Sequence, residues 1–344
     1  MKIGIMSFAH LHAEAYIGNL RAIPGVEMIG IADEDMERGH KYAHMFGALL
    51  FPSYEAMLET KPDAVLVCSE NTRHRPLVEM AAAAGVHVLC EKPLATTAED
   101  GQAMIDACEK AGVLLMTAFP MRFSAPLQQL KAQIDQGNLG QIYCLSTINQ
   151  GQVPLDYRPW FVIPELSGGG ALIDHIVHLA DVMRWFFGCE VTSVYAQANQ
   201  IMYPEEVSTD AAGLSIVYAD KVAVETAGLV MLTFENGIFA SIDCSWNKPL
   251  NYPTWGGLSL EIISERGLTT VDAFKQNLNI FTENPVGNSW AYWGSDANQA
   301  MIEEFVAAIK EHRAPAVTAR DGQIGLDITL AAYESVRTGM PVNL

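Results

Sequence analysis

Two stretches of this chain combine residue types that can hold and move a proton. The first is Glu91-Lys92-Pro93, at the end of the apolar run Val86-His87-Val88-Leu89-Cys90. A buried strand that stops on a carboxylate and an ammonium carries groups whose desolvation is costly, so each should face a ligand or the other. Pro93 cannot continue the hydrogen-bond ladder and fixes the turn that aims Lys92. The plain alternative is a strand-end lysine reaching solvent. The second stretch runs from Gly168-Gly169-Gly170 through Asp174, His175, His178 and Asp181. Three glycines allow a close backbone approach before a helix starts. Asp174 and His178 are four apart and share one helical face with Asp181. A carboxylate beside an imidazole fixes its tautomer, as a general base requires. A metal site is the rival reading, but one imidazole with two acids lacks the second imidazole or thiolate of an ordinary zinc site. A capped helix with a polar stripe is the third.

The elements that must position these residues follow from periodicity. Up to about residue 118, short β-branched runs (Lys2-Met6, Val26-Ala32, Ala64-Val67, Val86-Cys90, Val113-Thr117) alternate with helical patterns. Thr72-Ala84 and Ala98-Ala111 read as helices, the second capped by Thr97, with Gly85 and Gly112 just past their ends. Near-continuous apolar strands alternating with helices predict a parallel sheet covered on both faces. Ligands bind outside the carboxyl ends of such strands. Those ends carry Ser7-Phe8-Ala9-His10, Asp33, Ser69-Glu70-Asn71 and Glu91-Lys92.

Asp33 lies 26 residues after Ser7, near the offset at which an acid binds a dinucleotide's ribose. A carboxylate there repels a 2′-phosphate and favours NAD over NADP; the competing reading is an N-cap of the next helix. The phosphate loop reads Ser7-Phe8-Ala9-His10-Leu11-His12 where GxGxxG is usual. Ser7 and Ala9 are small enough for the turn and the close approach, whereas His12 tilts the helix or points toward the phosphates.

Beyond residue 120 the pattern changes. A helix (Ala125-Gln136) and a strand (Ile142-Asn149) precede an irregular loop over 150–166 and a helix from near Gly169 to Phe187. Strands are expected at 191–200, 212–219, 222–234, 238–246, 258–264 and 268–272, and helices at 296–312 and 321–338. The whole reads as an α/β domain, 1–119, followed by an α+β domain, 120–344, with a large, mostly antiparallel open-faced sheet. Tyr157, Trp160 and Phe161, with Trp290, Tyr292 and Trp293 in a late loop, could wall a sugar-binding cleft or pack a core or an interface. Arg122 and Arg158 could bind polar substrate groups or pair with the many acids.

The 344 residues carry 40 acids against 21 bases, a net charge of −19, which argues against nucleic acid or an anionic membrane as partner. No apolar run approaches a bilayer span, and the start of the chain does not read as a signal segment, so a cytoplasmic location is expected. Six scattered cysteines read as reduced thiols.

Glu91-Lys92-Pro93, Gly170-xxx-Asp174-xxx-His178, Ser69-x-Asn71 and Arg122-Phe123, with the late run Leu258 to Gly267, resemble the glucose–fructose oxidoreductase/inositol dehydrogenase/rhizopine-catabolism (Gfo/Idh/MocA) oxidoreductases. The resemblance implies an N-terminal Rossmann domain and a nicotinamide cofactor, which the Asp33 carboxylate makes NAD in preference to NADP. It also implies a C-terminal domain for substrate binding and oligomerisation, as a homodimer or homotetramer through the open sheet. The implied substrates are sugars, polyols and inositol-like alcohols. Its catalytic positions fall on Lys92, Asp174 and His178. Cofactor contacts are expected from Ser7, Phe8, Ala9, His10, Asp33, Ser69, Asn71, His74, Glu91 and Lys92. Substrate contacts are expected from Arg122, Tyr157, Trp160 and His175, and no metal site is expected. Departures from the family pattern are the lost glycines, Glu70 in the turn Cys68-Ser69-Glu70-Asn71, and Pro120. The reaction read from this is reversible hydride transfer between a secondary carbinol and nicotinamide. The alternatives are redox-assisted glycoside cleavage or elimination with tightly bound NAD, and a non-enzymatic dinucleotide-sensing regulator.

Overall fold

The structure is a computed structural model describing residues 1–154, 158–200, 222–249, 252, 256–283 and 286–344. Its chain packs as two compact units. The first comprises Met1–Phe123 and Asp296–Asp327. Its six strands are β1 (Lys2–Met6), β2 (Glu27–Ala32), β3 (Leu50–Phe51), β4 (Ala64–Val67), β5 (His87–Cys90) and β6 (Leu115–Thr117). They lie parallel in the order β3-β2-β1-β4-β5-β6. This is the doubly wound order with its switch point between β1 and β4. Every residue of β4 is buried, as a strand covered on both faces must be.

Local capping agrees with the sequence in detail. Thr97 accepts a hydrogen bond from the Asp100 amide at the start of helix Ala98–Ala111, and Gly112 ends it in the left-handed region at φ 68°. The helix Met36–Phe46 is capped by Asp35, which accepts from the Arg38 amide. The N-cap role therefore belongs to Asp35, and the Asp33 carboxylate serves elsewhere.

The first unit is discontinuous, continuing past residue 119 to Phe123 and regaining Asp296–Asp327. The helix Ala297–Glu311 packs on the helix His12–Ala22 and on the 3-10 turn Pro120–Phe123. The Asn19 amide clamps its start, donating to Asp296 Oδ2 at 3.1 Å and to Gln299 Oε1 at 3.0 Å. Arg122, in that turn, donates to Asp321 Oδ1 at 3.0 Å and to the Ala316 carbonyl at 2.9 Å.

The second unit comprises Ser124–Ser295 and Ile328–Leu344. Seven strands form one sheet: β7 (Ile142–Gly151), β8 (Val191–Asn199), β9 (Ala227–Phe234), β10 (Phe239–Asp243), β11 (Gly256–Ser264), β12 (Gly267–Asp272) and, after the hairpin β13 (Asn277–Glu283) and β14 (Val286–Tyr292), β15 (Val342–Asn343). The order is β12-β11-β7-β10-β9-β8-β15, antiparallel except for the pair β7–β10. Burial alternates strictly along β9, and the helix Ala171–Phe187 packs on β7 and β9. One face of the sheet is core and the other is open.

Three expectations need correction. The strand expected from 222 begins at Ala227, because Val222 and Val224 instead enter a cluster with Val153, Val162, Ala171 and Trp246. The loop expected over 150–166 contains the end of β7, a 3-10 turn Pro159–Val162 and a short helix Pro164–Ser167. The late loop expected around Trp290 and Tyr292 is β14, paired in register with β13. The strand expected at 212–219 lies outside the described residues. Among the described residues, no helix is long and apolar enough to cross a membrane.

The Arg122–Asp321 pair makes the first unit sensitive to acid. Burial pushes the Asp321 carboxyl up, but the Arg122 guanidinium and the donors of Thr318 outweigh it and hold the group below its ordinary value. A depressed folded-state pKa stabilises the fold above the unfolded pKa of about 3.9, and this contribution disappears as pH falls through the folded value. Urea titrations of the wild type and Asp321→Asn should therefore differ by roughly 1–3 kcal/mol near pH 7. The gap should close progressively below about pH 4. A gap that widened in acid would contradict the assignment.

Candidate functional site

The carboxyl ends of the first sheet gather the polar residues expected there. Ser7 stands where a fingerprint glycine would, and it adopts φ 71°, the left-handed conformation that glycine takes without strain. For a serine this costs roughly 1–2 kcal/mol. Its hydroxyl meets part of that cost by accepting from the Ala9 amide at 3.1 Å and from Arg38 at 3.4 Å. The amides around it are engaged internally. Phe8 N donates to Asp33 Oδ2 at 2.7 Å, His10 N to the Cys68 carbonyl at 2.9 Å and His12 N to His10 Nδ1 at 3.3 Å. The Phe8 ring is buried and stacks on Tyr42 at 4.9 Å. Phe8 thus contributes to the loop as a core anchor.

Asp33 is buried and accepts from four donors: the Phe8 and Asp35 amides and two nitrogens of Arg38, the shortest at 2.7 Å. Arg38 also reaches Glu70 at 3.3 Å, and Arg73 pairs with Glu70 at 3.4 Å and with Glu34. The negative charge that Glu70 brings to this edge is therefore neutralised by two guanidinium groups. Ser69 is buried and donates to the Glu70 carbonyl at 3.2 Å, and Asn71 is buried in the following 3-10 turn. Sequence reasoning missed Arg38, although its place one turn into the helix after Asp33 was visible. A carboxylate and a guanidinium side by side at the end of β2 suit the hydroxyls of an adenosine ribose, and the guanidinium also suits a ribose phosphate. The edge fits a dinucleotide there, while the loop amides are already bonded within the protein.

The Glu91-Lys92-Pro93 turn follows β5. Lys92 is only 3% exposed, so its ammonium lies within the protein rather than in solvent. The Lys92 backbone N–H donates to Glu91 Oε2 at 3.1 Å. Glu91 Oε1 lies 3.1 Å from His12 Nδ1, and Oε2 lies 3.8 Å from His10 Nδ1. Burial pushes the Glu91 carboxyl up, but the two imidazoles and the Tyr16 hydroxyl outweigh it and hold the group well below the usual carboxylate range. His12 therefore turns toward Glu91. His74, expected among cofactor contacts, is fully buried, and its Nδ1 donates to the Pro93 and Leu94 carbonyls at 3.0 and 3.2 Å. It braces the turn that presents Lys92. Burial lowers the His74 pKa, which keeps the imidazole neutral in that role.

In the second unit the glycine run serves close approach. A Cβ on Gly170 would overlap the Glu225 carbonyl oxygen, and one on Gly169 would overlap the Tyr333 hydroxyl. Glu225 Oε1 accepts from the Gly170 and Leu172 amides, both at 3.0 Å, and from the Tyr333 hydroxyl at 2.8 Å. It satisfies orphan donors at the start of helix Ala171–Phe187, a role that long-range packing alone reveals. Burial nonetheless raises the Glu225 pKa above the ordinary value.

Asp174, His175 and His178 ride on that helix. Asp174 Oδ2 accepts from the buried Trp246 indole at 3.0 Å and lies 3.2 Å from His175 Nε2. His175 Nδ1 donates to the Cys244 carbonyl at 2.9 Å, which fixes its ring orientation. Asp174 is thus held by the Trp246 indole. His178, one turn further on, is half-buried. Trp160 is buried and stacks on Phe161 with centroids 4.0 Å apart. Tyr157 lies outside the described residues. Lys92 and Arg122 belong to the first unit, and Asp174, His175, His178 and Trp160 to the second.

Two family models match the chain. One, described as an oxidoreductase family with an NAD-binding Rossmann fold, matches residues 2–119. The other, described as the GFO/IDH/MocA C-terminal domain, matches residues 127–270. The chain is 28% identical to a myo-inositol 2-dehydrogenase of Thermotoga maritima, covering 100% of this chain and 98% of that one. It is 27% identical to a D-apiose dehydrogenase of Paraburkholderia graminis, covering 99% and 88% respectively. The crystal structure of GenD2 from gentamicin A biosynthesis in complex with NAD aligns with a TM-score of 0.84 at 23% identity, covering 100% and 96%, which is a likeness of fold. With its parallel first sheet, its mostly antiparallel second sheet and both family matches, the chain belongs to the Gfo/Idh/MocA family of NAD-binding oxidoreductases.

Proposed function

We propose that the protein is a dehydrogenase that oxidises a secondary carbinol of a sugar, polyol or inositol-like substrate, reversibly, with NAD. The observation that carries this reading is the burial of Lys92 at the end of β5, on the sheet edge where a doubly wound domain binds ligands. NAD supplies the acceptor for the hydride when it is bound. Asp33 and Arg38 would hold its adenosine ribose. Lys92 donates a hydrogen bond to the carbinol oxygen and stabilises the charge that develops there as the proton leaves. His178 takes that proton as general base. Asp174 and His175, held by Trp246 and the Cys244 carbonyl, orient the substrate's neighbouring hydroxyls. A myo-inositol dehydrogenase and an apiose dehydrogenase among the relatives support a polyhydroxylated substrate.

Stopped-flow and steady-state assays of Lys92→Ala and His178→Ala, over a panel of sugars and inositols, test the assignment. Each substitution should lower kcat by about 100-fold or more while NAD binding, read by fluorescence, stays within a few-fold. Turnover unchanged in either variant would end the role given to that residue.

The open face of the second sheet supports self-association. Tyr143, Ile148, Tyr195, Leu229, Met231, Phe239, Ile263 and Leu268 all project from it with large exposed areas, Leu229 being 61% exposed. Large apolar side chains left exposed on one sheet face mark an interaction surface. Light scattering on the purified protein should give a dimer or tetramer, and Leu229→Lys/Met231→Lys should give monomer. A wild-type protein that is monomeric at micromolar concentration would exclude this interface.

A further inference from the structure

His10, His12 and Glu91 form a compact cluster that the proposed hydride transfer leaves without a chemical role. One ligand atom from each lies within 4.8 Å of the others. The two imidazole rings are 4.4 Å apart, centroid to centroid. A four-coordinate zinc ion with bonds of about 2.0–2.2 Å sets its ligand atoms about 3.3 Å apart. The His12 Nδ1–Glu91 Oε1 edge, at 3.1 Å, already has that spacing. The other edges need to close by no more than about 1.5 Å from the 4.8 Å limit.

We propose that these three residues form a site for a divalent transition-metal ion, with zinc the ion that best matches the donors. Two imidazoles and one carboxylate are the protein ligands of open zinc centres, whose fourth position is left to water or an exogenous ligand. Magnesium and calcium prefer all-oxygen donor sets and match this one poorly. The surroundings have the character of an outer shell. Glu91 Oε2 is tied by the Lys92 backbone N–H at 3.1 Å, which turns Oε1 toward His12. The buried Tyr16 hydroxyl hydrogen-bonds the Glu91 carboxylate. Partners of this kind orient ligands and tune a metal's affinity. His10 and Glu91 are buried, while His12 is about one-quarter exposed and opens the fourth position to solvent. The sequence hid this site, because His-x-His and Glu91 are separated by almost eighty residues, and β1, β4 and β5 must lie side by side before they meet.

The test uses the intact, untagged protein, stripped with a chelator and free of cofactor and substrate. Cobalt(II) is added with visible absorption as the readout, and zinc by calorimetry. One equivalent of cobalt should saturate the signal with the bands of a low-symmetry site, and zinc should displace it. His12→Gln and Glu91→Gln should each weaken binding by at least about tenfold, with folding checked by thermal melts. His40→Gln, at an exposed histidine elsewhere in the unit, should change nothing. Absence of stoichiometric binding to the wild-type protein, which needs no variant to be measured, would overturn the proposal. So would binding that survives both ligand substitutions. Neither result bears on hydride transfer, because no cofactor takes part.

Discussion

A carboxylate buried at the end of a parallel strand is the constraint from which the first unit's site follows. Glu91 is 1% exposed, and an unpartnered charge in that position would be prohibitive. Its partners define the local structure. His10 and His12 must turn inward, which draws in the loop after β1, and the Lys92 amide must face back toward the carboxylate. The loop is therefore shaped by Glu91 rather than by glycines. Two thiols close to this charge, Cys68 and Cys90, are pushed far up by burial and by Glu91, so they stay neutral and inert as nucleophiles. A second buried acid, Asp33, closes the same edge by recruiting Arg38 and the Phe8 amide.

The second unit solves a similar problem with different chemistry. The helix that carries Asp174, His175 and His178 starts in a buried environment, where its first amides would be orphaned. Glu225 accepts from two of them, and Tyr333 completes its shell. The segment Val222–Thr226 is consequently committed to the helix start and to the Trp246 cluster instead of extending β9. Trp246 in turn holds Asp174. The positions of the candidate catalytic groups thus depend on residues from three separate stretches of chain.

Local signals in the sequence carried much of this architecture. The strand Lys2–Met6 and the helix Ala98–Ala111 were legible to the residue, because apolar periodicity, the Thr97 cap and Gly112 are all local. The strand-end edge bearing Asp33, Ser69 and Lys92 was legible too, since topology places it. What escaped depends on partners distant in sequence. The Glu225 cap, the Asp174–Trp246 bond, the His74 brace and the His10–His12–Glu91 cluster join residues far apart along the chain. The left-handed conformation of Ser7 escaped for another reason, because a serine carries no signal for positive φ. The strand β14 read as a loop because Gly287, Asn288 and Ser289 interrupt any apolar alternation along it.

In the proposed reaction a carbinol hydrogen of a polyhydroxylated substrate passes as hydride to nicotinamide. The most direct measurement follows that hydrogen. A substrate deuterated at the reacting carbinol carbon is turned over with NAD, and the reduced cofactor is analysed by NMR. Direct hydride transfer should place deuterium at nicotinamide C4, on one face of the ring. Deuterium lost to water, with none in the cofactor, would contradict it.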